Sequence, residues 1–132
     1  MNWRNEALEK LKKYDAMRQA AENIPQEIDR ISGELRTVPH SEQDRRMELA
    51  ATKQELEIAM NQTNLWLSVV SRGLEALPPD EKLVLLWLYV RPSADSMSRL
   101  CQELCLEQSS IYRKRKIALE RFTLALYGAT DT

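Results

Sequence analysis

The chain has 132 residues, enough for one ordinary domain or two small ones, and its 43% apolar and 30% charged composition can bury a core and keep a wet surface. A net charge of −1 excludes a globally basic nucleic-acid binder, so any affinity for DNA must come from local asymmetry. With 3 Gly, 1 Phe and a predominance of Leu, Ala, Glu, Lys, Arg and Gln, which are good helix formers, the sequence predicts an almost all-α fold.

Residues 1–37 carry an apolar stripe at Ala7, Leu11, Tyr14, Met17, Ala21, Ile24, Ile28, Ile31 and Leu35. Its steps alternate between three and four, with one double three at Leu11, Tyr14 and Met17. This is the heptad-like seam of a coiled coil with one slip in register. Pro25 interrupts it by removing a backbone donor and clashing with the preceding turn, which predicts a kink or break near Ile24. The stripe keeps phase across the proline, which favours a bent helix or two abutting ones.

Residues 37–41 read as a loop. Ser41 suits an N-cap, and Glu42 and Asp44 suit the first turn of the following helix. That helix runs to about Leu74, with a stripe at Leu49, Leu56, Ala59/Met60, Thr63, Trp66/Leu67, Val70, Leu74 and Leu77. Two long amphipathic helices joined by a short polar loop predict an antiparallel helical hairpin over 1–76, a module for oligomerisation or partner contact.

Residues 77–81, Leu-Pro-Pro-Asp-Glu, mark the boundary to a second domain over 77–132. Pro79 suits the first helical position and two acids follow it. The helix over 80–90 is apolar nearly all round, as a helix buried on several sides is. Residues 91–95 end it, and Ser96 suits the cap of a short helix through Leu104. The last helix begins near Glu107 or Gln108 and ends at Gly128, a natural C′ residue.

The two short helices around residue 105 match the plan of a helix-turn-helix, in which the second helix enters the DNA major groove. Cys101 is the small residue at the crossing. Leu100, Leu104, Leu106 and Ile111 are spaced to form its little core. That leaves Gln108, Ser109, Tyr112 and Arg113 as candidate base-contacting residues near the start of the second helix. Gln reads adenine and Arg reads guanine through paired hydrogen bonds. Ser110, Lys114, Arg115, Lys116 and Arg121 are candidate phosphate contacts. Residues 107–121 hold five cations and two anions, a local balance of +3.

From 77 to 128 the chain resembles the sigma-70 region 4 type of helix-turn-helix. The matching residues are the run over 77–85, then Leu100 and Cys101, Leu104 to Leu106, Ile111 to Arg113, and Ala118 and Leu119. With the N-terminal helices and the closing Ala125, Leu126, Tyr127 and Gly128, the whole chain resembles phage late-transcription regulators of the ArpU and RinA type. The resemblance implies promoter DNA binding through the helix from Gln108, and contact with RNA polymerase. The sequence departs from the family pattern at two places. Cys105 stands where the turn usually carries glycine, so the positive-φ residue is expected to be lost or shifted. Glu107 stands where a serine or threonine cap is usual.

Other signals point to bland roles. Cys101 and Cys105 lie one helical turn apart, cannot easily meet disulfide geometry, and read as small buried hydrophobes in a reducing cytoplasm. A zinc site needs about four ligands, and the one histidine, His40, is in a distant loop. Trp66, Trp87 and Tyr89 read as core residues joining the hairpin to the C-terminal domain. Trp3, near the terminus, gives no signal. No charged-then-apolar leader opens the chain, and its longest apolar run, eight residues over 83–90, falls short of the about 20 a membrane span needs. No nucleophile, phosphate loop, metal set or cofactor motif is present, so the reading is a non-enzymatic, cytoplasmic, double-stranded-DNA-binding regulator. Its rivals are a helical adaptor that holds RNA polymerase without touching DNA, and a DNA-packaging, small-terminase-like protein.

Overall fold

The computed structural model describes residues 2–130, and all its regular elements are helical. They are α1 (Trp3–Thr37), α2 (Gln43–Glu75), α3 (Pro79–Leu85), a π-helical turn (Leu86–Val90) that continues α3, α4 (Ser96–Leu104) and α5 (Gln108–Tyr127). No helix of the described residues is long and apolar enough to cross a membrane.

Of the kink or break expected near Ile24, the break does not occur: α1 runs through Pro25 as one helix and not as two abutting ones. Pro25 is exposed, whereas Ile24 and Ile28 beside it are half-buried. The loss of one backbone bond on a wet face is therefore outweighed by burial on either side. Ser41 is not the cap of α2. The helix starts at Gln43, and the Glu42 carbonyl accepts the first helical bond from the Arg46 N–H at 3.1 Å. The Glu42 N–H in turn donates to the Pro39 carbonyl at 3.0 Å, which tightens the loop and carries Ser41 outside the helix. Every residue of the two predicted stripes is buried or half-buried.

The chain forms two compact units, one of Met1–Asp15 with Ser68–Thr132, the other of Ala16–Leu67. In the first, the start of α1 and the end of α2 belong with α3, α4 and α5. Ala7, Leu11, Val70, Leu74, Leu77, Leu119 and Phe122 are buried there. The Trp3 and Tyr127 rings lie 4.8 Å apart, and Lys10 Nζ donates to the Tyr127 hydroxyl at 2.7 Å. Trp3 thus has a packing role that its position near the terminus did not suggest. Tyr14 and Ser71 share a hydroxyl hydrogen bond of 2.7 Å, and Arg91 Nε pairs with Asp15 at 2.9 Å. A Cβ on Gly73 would lie 3.0 Å from Phe122 Cε1 and Leu126 Cδ2, so α2 meets α5 through a position without a side chain.

In the second unit Ile31 and Thr63 are buried. Arg46 Nη1 donates to the Leu35 and Val38 carbonyls at 3.1 and 3.0 Å, which caps the end of α1 with a cation as its dipole prefers.

The segment over 79–90 is less uniform than its apolar sequence implies. The Arg91 N–H bonds to the Leu86 carbonyl at 2.8 Å, five residues back, which makes the last turn π-helical. Pro92 disfavours helical geometry for Arg91, which adopts φ −130 and ψ 65 and ends the helix. Trp66, Trp87 and Tyr89 are half-buried rather than fully in the core. The Arg99 guanidinium lies over the Trp87 ring, 5.0 Å from its centroid, so the exposed part of the indole meets a cation.

Candidate nucleic-acid interface

Between α4 and α5 the chain turns through three residues, Cys105, Leu106 and Glu107. Cys105 ends α4 in the left-handed region, at φ 54 and ψ 45. The positive-φ residue is therefore neither lost nor shifted, contrary to the expectation from the missing glycine. The Cys105 and Leu106 N–H groups both donate to the Cys101 carbonyl, and the second bond, of 3.1 Å, is the six-to-one closure of a Schellman cap. Such a cap turns the next apolar residue back onto the helix it ends, and Leu106 packs with the local core as that geometry requires.

That core contains Val84 from α3, Leu100 from α4 and Ile111 from α5, all fully buried, with Leu83, Trp87, Leu88, Met97, Cys101, Leu104 and Leu106 packed around them. The four leucine and isoleucine positions read from the sequence are all in it, and Cys101 is half-buried beside them with a free thiol. Cys105, expected to be buried, is exposed, because the left-handed turn carries its side chain outward.

Glu107 precedes α5 in an extended conformation, φ −75 and ψ 159, the backbone of an N-cap. Its carbonyl accepts from the Ile111 N–H at 3.1 Å, but its side chain caps nothing. Gln108, Ser109, Tyr112 and Arg113 follow and are all exposed on the first turns of α5. They are partly organised among themselves. Gln108 Nε2 donates to the Tyr112 hydroxyl at 3.3 Å, and Arg113 Nη2 donates to Ser110 Oγ at 3.1 Å.

The five candidate phosphate contacts separate into two groups. Lys114 Nζ pairs with Asp80 Oδ2 at 2.5 Å, and Arg121 pairs with Glu81. Both acids belong to α3, so these two cations fasten α5 to α3. The Lys114 ammonium holds the Asp80 carboxyl below its ordinary value, against some desolvation and with help from the Glu81 N–H. Glu81 is buried, and its Oε1 has no hydrogen-bond partner among the described residues, so the Arg121 guanidinium is what compensates the charge. Lys116 and Ser110 form the second group with Arg115. Lys116 is exposed, Ser110 is half-buried beside Arg113, and the half-buried Arg115 guanidinium lies 4.9 Å from the Tyr112 ring centroid. Among the described residues, the cations of α5 without an acidic partner are thus Arg113, Arg115 and Lys116.

Sequence reading missed the two ion pairs from α3, because Asp80 and Glu81 have an adequate local reason as acids in a first helical turn. Only packing brings them to α5. A groove of about 390 Å³ runs beside this contact, lined by Glu81, Leu106, Ser110, Arg113, Ile117 and Arg121 among others. No family model, no curated protein and no solved structure matches the chain.

Proposed function

We propose that this chain is a sequence-specific DNA-binding transcriptional regulator of the phage late-regulator kind. An N-terminal helical hairpin would serve self-association or partner contact, and α4, the turn and α5 would act as a helix-turn-helix. One observation carries the reading: Gln108, Ser109, Tyr112 and Arg113 stand exposed at the start of a helix whose entry is fixed by the left-handed Cys105 turn and the Val84, Leu100 and Ile111 core. A recognition helix reads base edges with that end. Arg113, Arg115 and Lys116, which have no acidic partner among the described residues, supply the local attraction that the net charge of −1 does not.

Selection from a random duplex library, followed by titration of the enriched duplex against salt, tests it. Arg113→Ala is expected to relax sequence preference at one position by about 1–3 kcal/mol. Lys116→Ala is expected to weaken all duplexes alike and reduce the salt slope by about 0.9. Arg121→Ala should leave the slope unchanged, since its charge is matched by Glu81. No enrichment, and no binding to any duplex at low salt, would overturn the proposal.

One observation favours a second reading. Ile117 and Leu124 are exposed on α5, and Ile117 lines the groove with Leu106 and Arg113. Such a face suits an apolar, acidic segment of a protein such as RNA polymerase, without DNA contact. Retention of purified polymerase by a chain that binds no duplex would favour it.

A further inference from the structure

Four of the large apolar side chains left exposed are on α2: Met47 (68%), Ile58 (51%), Leu65 (68%) and Val69 (43%). None belongs to the predicted core stripe of that helix. At 100° per residue these four and the exposed Ala51 fall within about 40° of one another, in a line about 33 Å long. Exposed apolar residues scattered singly need no explanation, but a row along one helix face marks an interaction surface.

The row is self-complementary, and this identifies its occupant. When a second α2 is laid antiparallel across a two-fold axis at Ile58, Ile58 meets itself, Ala51 meets Leu65 and Met47 meets Val69. Every apolar residue of the row then meets another. The same register sets exposed Asp44 of one copy opposite exposed Arg72 of the other, twice per pair. A parallel pairing in register would instead bring each of these charges to the height of its like. Isologous pairing, in which residue i meets j and j meets i, is what closed two-fold symmetry demands.

We infer that the outer face of α2 is a homodimer interface, formed by two antiparallel α2 helices that cross at Ile58. The inference rests on α2 alone and is independent of whether α5 binds DNA. Gln54 and Gln62 fall opposite each other between the apolar pairs, at seam positions where polar residues fix register at a cost in affinity.

Sedimentation velocity of the full chain at concentrations up to about 100 μM tests it. The wild-type chain is expected to dimerise. Ile58→Asp sets two like charges face to face on the axis and should give a monomer with unchanged helical circular dichroism, because the site is half exposed. Asp44→Arg and Arg72→Asp should each weaken the dimer by about tenfold, since each affects two ion pairs. The double variant Asp44→Arg/Arg72→Asp should recover wild-type affinity. A wild-type chain that stays monomeric, an Ile58→Asp chain that still dimerises, or a double variant that fails to recover would each overturn the inference.

Discussion

Cys105 holds the turn before α5 in a conformation that costs a residue with a Cβ about 1–2 kcal/mol. The residue persists there because the Cys101 carbonyl accepts two N–H groups and Leu106 is drawn into the core, so the fold over-determines the turn. Cys105→Gly is expected to raise stability by about 0.5–1 kcal/mol, because relief of the strain exceeds the extra entropy glycine brings to the unfolded chain. Chemical denaturation measures it, and a destabilised variant would show that the thiol contributes more than its exposure suggests. The position was legible in the sequence as the place where a turn residue was needed. The outcome was not, because neighbouring hydrogen bonds decide whether a non-glycine residue bears that strain.

The junction of α3 with α5 rests on buried apolar side chains and on two ion pairs, Asp80 with Lys114 and Glu81 with Arg121. Asp80 is held below its ordinary pKa, chiefly by Lys114, so the folded state binds its proton less readily than the unfolded chain. Its contribution is fully present above about pH 4, the unfolded value, and is lost as the pH falls through the lower folded value. Thermal melting at pH 7 and pH 3 is therefore expected to show a smaller difference for Asp80→Asn than for the wild-type chain. An unchanged difference would mean the pair has no linkage. The helices themselves could be read from periodicity and proline, and their bounds fall within a few residues of the sequence signals. Neither serine expected as a cap is one: Ser41 lies outside α2, and Ser96 is the first residue of α4, after Asp95. The π-helical turn and the pairing of α3 acids with α5 cations could not be read, and at Pro25 one bent helix and two abutting ones stayed equally open, since each depends on what packs across from the residue concerned.

Two helical glycines show how packing reverses the sign of one substitution. A Cβ at Gly33 has only Arg36 Nη2 near it, at 3.9 Å, whereas at Gly73 it would press on Phe122 and Leu126 at 3.0 Å. Gly33→Ala is expected to stabilise by about 1 kcal/mol from helix propensity alone. At Gly73 the same gain is offset by overpacking of about 1–3 kcal/mol against the fully buried Phe122, giving a net loss of about 1 kcal/mol. Opposite shifts of melting temperature would confirm this, and a stabilising Gly73→Ala would show that Leu126 yields freely. The sequence by itself determined the all-helical class, both apolar stripes, the share of the small core that Leu100, Leu104, Leu106 and Ile111 contribute, and the exposed start of α5, because each follows from periodicity within one helix or one turn. Only the tertiary structure decided that the ends of α1 and α2 pack with α3, α4 and α5, that Lys114 and Arg121 answer acids on α3, and that Met47, Ile58, Leu65 and Val69 remain uncovered. Those outcomes depend on which residues distant in sequence meet, and the pattern of a single helix carries no record of its neighbours.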